Sequence, residues 1–222
     1  MDSMSRRLGA LVMTLGFEPG PLVSAVAANV AEGFEPGAEI VVFTPSFKDE
    51  RAERAWRELQ NIFSMMRLRD VSLRRLVIDL SDFTSAVLQV KKVFTGLRGR
   101  RVKISLTGGM RALVLAVFVA YLTTKWEQVP EIEVFLEGRG EALKIPRLAA
   151  ALGPRVSERK LKVLDFMRPG STYRIGDLAG LLPQERSTIY RHLKSLAEVG
   201  LVERVNGAFR ITDLGLMLRN VE

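Results

Sequence analysis

Arg100-Arg101-Val102-Lys103-Ile104-Ser105-Leu106-Thr107-Gly108-Gly109-Met110-Arg111, followed by an apolar run to Tyr121, decides how the chain folds. Val102, Ile104 and Leu106 read as a β-strand closed by a glycine turn. From Met110 to about Thr124 the residues are strong helix formers and nearly all apolar, so the helix is expected to lie buried against a sheet. A strand, a Gly-Gly turn and a helix start make a cradle for an anion. The glycines let backbone approach a ligand closely, and the free N–H groups of the first helical turn favour phosphate. Thr107 offers a hydroxyl there and Arg111 a fork of donors. Taken alone, the same stretch also fits an ordinary strand-to-helix turn.

Upstream, the pattern repeats. Leu8 to Leu15 reads as a buried strand ending in Thr14-Leu15-Gly16-Phe17, and Leu22 to Val30 as a helix. Ile40 to Phe43 is a second strand, ending at Thr44-Pro45-Ser46. Asp49 to Met66 is a long helix with Trp56, Leu59, Ile62, Phe63 and Met66 at core spacing. Leu73 to Leu80 is a third strand, and Ser81 or Asp82 caps a helix from Phe83 to about Leu97. Downstream, Ile132 to Leu136 and Ala142 to Ile145 form a hairpin around Gly138-Arg139-Gly140. Strands alternating with helices imply an α/β, Rossmann-like fold with a mainly parallel sheet and a C-terminal hairpin, over residues 1–150. Ligands of such sheets bind beyond the C-terminal strand ends, where all the small and polar turns fall.

Gly153-Pro154 reads as a hinge into a second domain, residues 154–222. Ser157-Glu158 starts a helix to about Met167, with Leu161, Leu164 and Phe166 apolar, stopped by Pro169-Gly170. Ile175 to Leu182 is a short helix presenting Leu178, Leu181 and Leu182 to the core. Glu185 to Val199 is a third helix. Leu201 to Val205 and Ala208 to Thr212 make a hairpin on Asn206-Gly207, and a last helix runs from Asp213. This order is that of a winged helix-turn-helix. In the third helix Ile189, Leu193 and Leu196 share one face, while Ser187, Arg191 and Lys194 point away. Such a helix enters the DNA major groove. Gln184, Ser187, Thr188 and Arg191 are placed to read bases, Tyr190 and Lys194 to hold phosphates, and Arg204 and Arg210 to reach backbone from the wing. The alternative is a solvated helix face on a protein-binding module.

Composition narrows the choices. The 222 residues contain no cysteine and a single histidine, His192, which removes disulfides, thiolate metal sites and an internal Ser-His-Asp triad. His192 itself reads as a packed or surface residue. The net charge of +8 is shared equally, +4 before residue 154 and +4 after it, so the shorter part is denser in positive charge. No apolar run reaches membrane-spanning length, no signal peptide is evident, and a cytoplasmic protein without membrane attachment is expected. Neither a Gly-x-Gly-x-x-Gly nor a Gly-Lys-Ser/Thr loop is present, against other nucleotide-binding enzymes.

Thr14-Leu15-Gly16-Phe17, Asp82-Phe83 and Leu106-Thr107-Gly108-Gly109-Met110-Arg111, with a winged helix behind them, resemble the CARF domain regulators of CRISPR systems, the archaeal Csa type, over nearly the whole chain. The resemblance implies a homodimeric transcription regulator whose two CARF domains share one site on the two-fold axis. Its regulatory ligand is a cyclic oligoadenylate, commonly cyclic tetra-adenylate, and its other partner is double-stranded promoter DNA. No cofactor and no metal are expected. By match to the family motifs, Thr14, Gly16, Phe17, Thr107, Gly108, Gly109, Met110 and Arg111 line the ligand site, with Ser46 and Asp82 as weaker members. Phe17 is expected in the core, with stacking on adenine as the alternative. Some CARF domains cleave the ring slowly, so a ring nuclease is the alternative activity, although no residue positively indicates it.

Overall fold

The computed structural model describes residues 7–47, 49–135, 142–146 and 156–219. The chain divides into two compact units, Met1–Leu152 and Gly153–Glu222. The expected turn Gly138-Arg139-Gly140 and hinge Gly153-Pro154 lie outside the described residues. Among the described residues no helix is long and apolar enough to cross a membrane.

In the first unit β1 (Leu8–Thr14), β2 (Phe34–Pro45), β3 (Val71–Ile78), β4 (Val102–Ser105), β5 (Glu131–Phe135) and β6 (Ala142–Ile145) build one sheet. The strand order is β3-β2-β1-β4-β5-β6. All neighbours are parallel except β5 and β6. The helices are α1 (Gly20–Val30), α2 (Glu50–Met65), α3 (Phe83–Leu97) and α4 (Arg111–Thr123). β1 is buried at all seven positions, as the near-continuous apolar run of a strand covered on both faces requires. Leu11, Met13 and Leu15 pack with Leu22, Ala25 and Val26 of α1 and Ala55 and Leu59 of α2. On the other face Phe43 meets Phe94 of α3 edge-on at 6.2 Å, and Trp126 closes on Phe94 and Tyr121. α1 and α2 therefore cover one face, α3 and α4 the other.

One expectation is corrected here. β2 extends well beyond Ile40–Phe43, because Gly37, at φ +75°, lets the strand pass the Glu35-Pro36 interruption through an irregularity in its pairing with β1. In α2 the buried residues are Ala52, Ala55 and Leu59, and the half-buried Trp56, Phe63 and Met66 pack against the same core, as their spacing predicts. Small side chains sit where the helix comes nearest the sheet.

Under α1 the sheet holds a buried polar cluster. Lys103 of β4 pairs with Glu32 and lies 3.8 Å from Glu133 of β5. Asn29 of α1 donates to Glu133 at 2.9 Å. Burial pushes the Glu133 carboxyl above its ordinary value, against the pull of Asn29 and Lys103. The folded state thus binds this proton more tightly than the unfolded chain, and the stability gained is lost as pH rises through the raised value. Glu133→Gln is expected to remove that loss. In urea unfolding across a pH series, the variant should gain on wild type as pH climbs from the ordinary carboxylate range to neutrality. A constant difference would contradict this account of Glu133.

The second unit holds α5 (Glu158–Asp165), β7 (Thr172–Tyr173), α6 (Ile175–Ala179), α7 (Arg186–Glu198), β8 (Val202–Val205), β9 (Ala208–Ile211) and α8 (Asp213–Leu218). Its antiparallel sheet has the order β7-β9-β8. Asn206 and Gly207, at φ +49° and +78°, make the two-residue turn with both positions left-handed that suits strand twist. Phe166 and Leu181 do not face the core: they are 41% and 53% exposed. α5 ends at Asp165, so the chain leaves helical phase and Met167 takes the inward place. α6 likewise ends before Leu181, and Leu182 turns in instead.

Candidate functional site

β1 and β4 are neighbours, and their following helices go to opposite faces of the sheet. The order of strands reverses between them, and this opens a crevice beyond their C-terminal ends. Two loops, Leu15 to Pro19 and Leu106 to Met110, meet there, and glycine is what lets them meet. A Cβ on Gly16 would sit 2.8 Å from the Gly109 nitrogen, and one on Gly108 would sit 2.9 Å from the Thr14 carbonyl oxygen. Gly109 itself adopts φ +104°, which side-chain-bearing residues rarely reach.

The two threonines serve the loops themselves. Thr14 is fully buried and its hydroxyl donates to the Gly108 carbonyl across the pair. The Thr107 hydroxyl accepts from the Phe135 N–H at 2.9 Å and shares a second bond with Ser105, fastening the glycine turn to β5. A cavity of about 300 Å³ opens on this junction, lined by Gly16, Phe17, Thr107, Gly108, Gly109 and Met110. Its other walls are Leu15, Glu18, Pro21, Pro45 and Ala52. α4 begins directly above it with no side-chain cap on its first N–H groups. Arg111, at its first position, is exposed and has no ion pair among the described residues.

Phe17 is not a core residue: it is 45% exposed, and the Arg51 guanidinium lies 4.0 Å from its ring centroid. Arg51 is anchored in turn by Asp49, which caps α2 and is held below the usual carboxylate range by that guanidinium. The first turn of α2 thus joins the site through Arg51 and Ala52. Sequence reading missed both, since only the placement of β2 beside β1 brings α2 to this rim. Ser46 and Asp82 are exposed at neighbouring strand ends and do not line the cavity. Asp82 caps α3 by accepting from the Ser85 N–H at 2.7 Å.

In the second unit, Ile189, Leu193 and Leu196 bury one side of α7, while Ser187, Tyr190, Arg191 and Lys194 are exposed. Arg191 donates to the Thr188 hydroxyl at 3.3 Å. Gln184 is turned inward, its Oε1 buried with no partner among the described residues. On the β8–β9 ribbon Arg210 pairs with Glu203 at 2.8 Å and Arg204 lies over the Phe209 ring. Arg191 and Lys194 form no ion pairs among the described residues. No group of His, Asp and Glu among the described residues has the arrangement of a metal site.

Two family matches fall one on each unit. Residues 155–221 match the family described as the N-terminal domain of the methanogenesis regulatory protein FilR1. The "CRISPR locus-related putative DNA-binding protein Csa3" of Thermoproteus tenax is 29% identical over 202 residues, covering 89% of this chain and 87% of that protein. A solved structure, Enterococcus italicus Csm6 bound to cyclic hexa-2'-fluoro-hexa-dAMP, overlays with a TM-score of 0.46 at 12% identity. It covers 71% of this chain, which spans under half, 46%, of that one. Residues 9–146 match the Csa3 CRISPR-associated Rossmann-like domain, and the chain belongs to that family.

Proposed function

We propose that the protein is a homodimeric transcription regulator of a CRISPR system. In this reading the rim at β1 and β4 binds a cyclic oligoadenylate, cyclic tetra-adenylate first among them, and the second unit binds promoter DNA as a winged helix-turn-helix. The observation that carries the reading is the interlocked glycine junction beneath the uncapped start of α4. Backbone N–H groups of the helix start face space that suits phosphate, and Arg111, which does not itself line the cavity, follows Met110 of its wall and can supply a guanidinium. Phe17 offers an exposed ring face for a base, and Glu18 an acceptor for an exocyclic amine.

One such rim holds part of a ring, and a two-fold axis supplies the same groups again. α4 provides the seat for the second copy. Leu115 is exposed and Phe118, Val119 and Leu122 are half-buried on the face that also carries Arg111. In the second unit the exposed Arg191 and Lys194, without ion pairs among the described residues, stand on a helix whose opposite face is packed, as a groove-reading helix requires. Ligand that alters the spacing of the two α7 helices changes DNA affinity, and DNA changes ligand affinity by the same factor.

Titration of the purified protein with cyclic tetra- and hexa-adenylate, with and without promoter DNA of its own operon, tests the reading. Each Arg111→Ala removes charge-assisted bonds of about 1.5–3 kcal/mol, so two per dimer should weaken the ring by at least about a hundredfold and up to roughly ten-thousandfold. Arg191→Ala should cost about 1–3 kcal/mol on the operator and relax its sequence preference, while Lys194→Ala lowers the salt slope by about one. Unchanged ring binding in the first variant ends the ligand assignment. A shallow salt dependence in wild type ends the DNA assignment.

A further inference from the structure

The second unit contains a cavity of its own, about 540 Å³, between α5 and the start of α7. That volume falls inside the range of small-molecule sites, roughly 300–1,000 Å³. Its rim is cationic. Arg159 and Lys162 project from α5, a turn apart, and His192 faces them from α7. No carboxylate lines it, and neither Arg159 nor Lys162 has an ion-pair partner among the described residues. Leu182, Pro183 and the exposed ring of Phe166 make its walls mostly apolar. Gln184 and Thr188 add an amide and a hydroxyl. The side chains of Gln184 and His192 make no hydrogen bond among the described residues, and each keeps a buried polar atom, Oε1 and Nδ1, without a partner. The Gln184 amide N–H groups and the His192 ring N–H remain as donors that a guest can engage.

We propose that this cavity binds a small organic acid with an apolar body, such as an aromatic or branched carboxylate, and that the bound acid weakens DNA reading by α7. The carboxylate meets Arg159, Lys162 and His192 while the body lies on Phe166, Leu182 and Pro183. A DNA phosphodiester fits less well, since a backbone phosphate needs surface cations and has no use for an apolar floor. The link to DNA runs through Thr188, whose hydroxyl accepts from Arg191 at 3.3 Å and also lines the cavity. A guest carboxylate that draws the Thr188 O–H toward the cavity turns the side chain and carries its oxygen away from Arg191. The effect on DNA rests on the reading of α7 given above; the binding of the acid does not.

His192 is the only histidine in the chain, so its imidazole resonances identify themselves in the full-length protein. The probes are benzoate, its neutral counterpart benzyl alcohol, and inorganic phosphate, at matched ionic strength. Benzoate is expected to shift the His192 signals saturably, and the other two to do so at least about tenfold more weakly. Arg159→Gln with Lys162→Gln, both exposed positions, should weaken benzoate about tenfold and leave the dispersion of the remaining spectrum intact. Phosphate acting as strongly as benzoate, a shift without saturation, or benzoate binding indifferent to the double substitution each overturns the site. In a separate arm, saturating benzoate should lower affinity for promoter DNA several-fold, and no loss overturns the coupling alone. A protein that binds no DNA at all condemns the reading of α7 while the histidine signals still decide the cavity.

Discussion

Gly109→Val is expected to abolish binding of cyclic tetra-adenylate, with a loss beyond about a hundredfold, or ~2.7 kcal/mol. At φ +104° the new side chain is strained by roughly 1–3 kcal/mol, and its Cβ arrives 3.1 Å from that of Thr14. Relief requires the Leu106 to Met110 loop to move off the Leu15 to Pro19 loop, and that separates the groups that form the crevice. A control distinguishes damage to the site from general strain. Gly37→Ala is also strained, at φ +75°, but meets nothing within 4 Å and lies away from the rim. It should lower stability in urea unfolding and leave ring affinity within about twofold. If both variants lose the ring equally, or if Gly109→Val keeps it, the glycine junction is not the binding site.

The second large effect is expected at α4. On a lone monomer Leu115→Glu is an exposed substitution, worth no more than about 0.5 kcal/mol. At a two-fold seat the same change sets a carboxylate against an apolar face, and against its own copy, twice per dimer. Sedimentation should then report monomers at concentrations where wild type is dimeric, with a dimer constant weakened by roughly a hundredfold or more. Ring affinity and operator affinity should fall together, because both use paired halves. A variant that sediments as wild type removes α4 from the interface.

What the sequence made legible was local. The strand, glycine turn and helix around Gly108 and Gly109, the Asp82 cap and the Asn206-Gly207 turn each follow from neighbouring residues whose conformational preferences are strong. What stayed hidden depended on partners far along the chain. Thr14 was read as a ligand contact by match to the family motifs and Thr107 also for its hydroxyl; that these hydroxyls engage Gly108, Ser105 and Phe135 depends on β1, β4 and β5 lying side by side. Arg51 reaches Phe17 because β2 pairs with β1, which no local pattern states. Strand β7 has two residues, too few to show a period, and exists because β9 offers Phe209 and Arg210 as partners. Leu181, read as inward with Leu178 and Leu182, is exposed because α6 ends before it.

The guanidinium resting on Phe17 has a temporal consequence. Arg51 occupies one face of that ring while tethered to Asp49, so a base that stacks on the same face must wait for it to leave. If the ring binds as proposed and stacks on that face, its uptake would include a first-order step whose speed no excess of ligand can raise. The opening turn of α2 would then set how quickly the ring is taken up, separately from how tightly it is finally held.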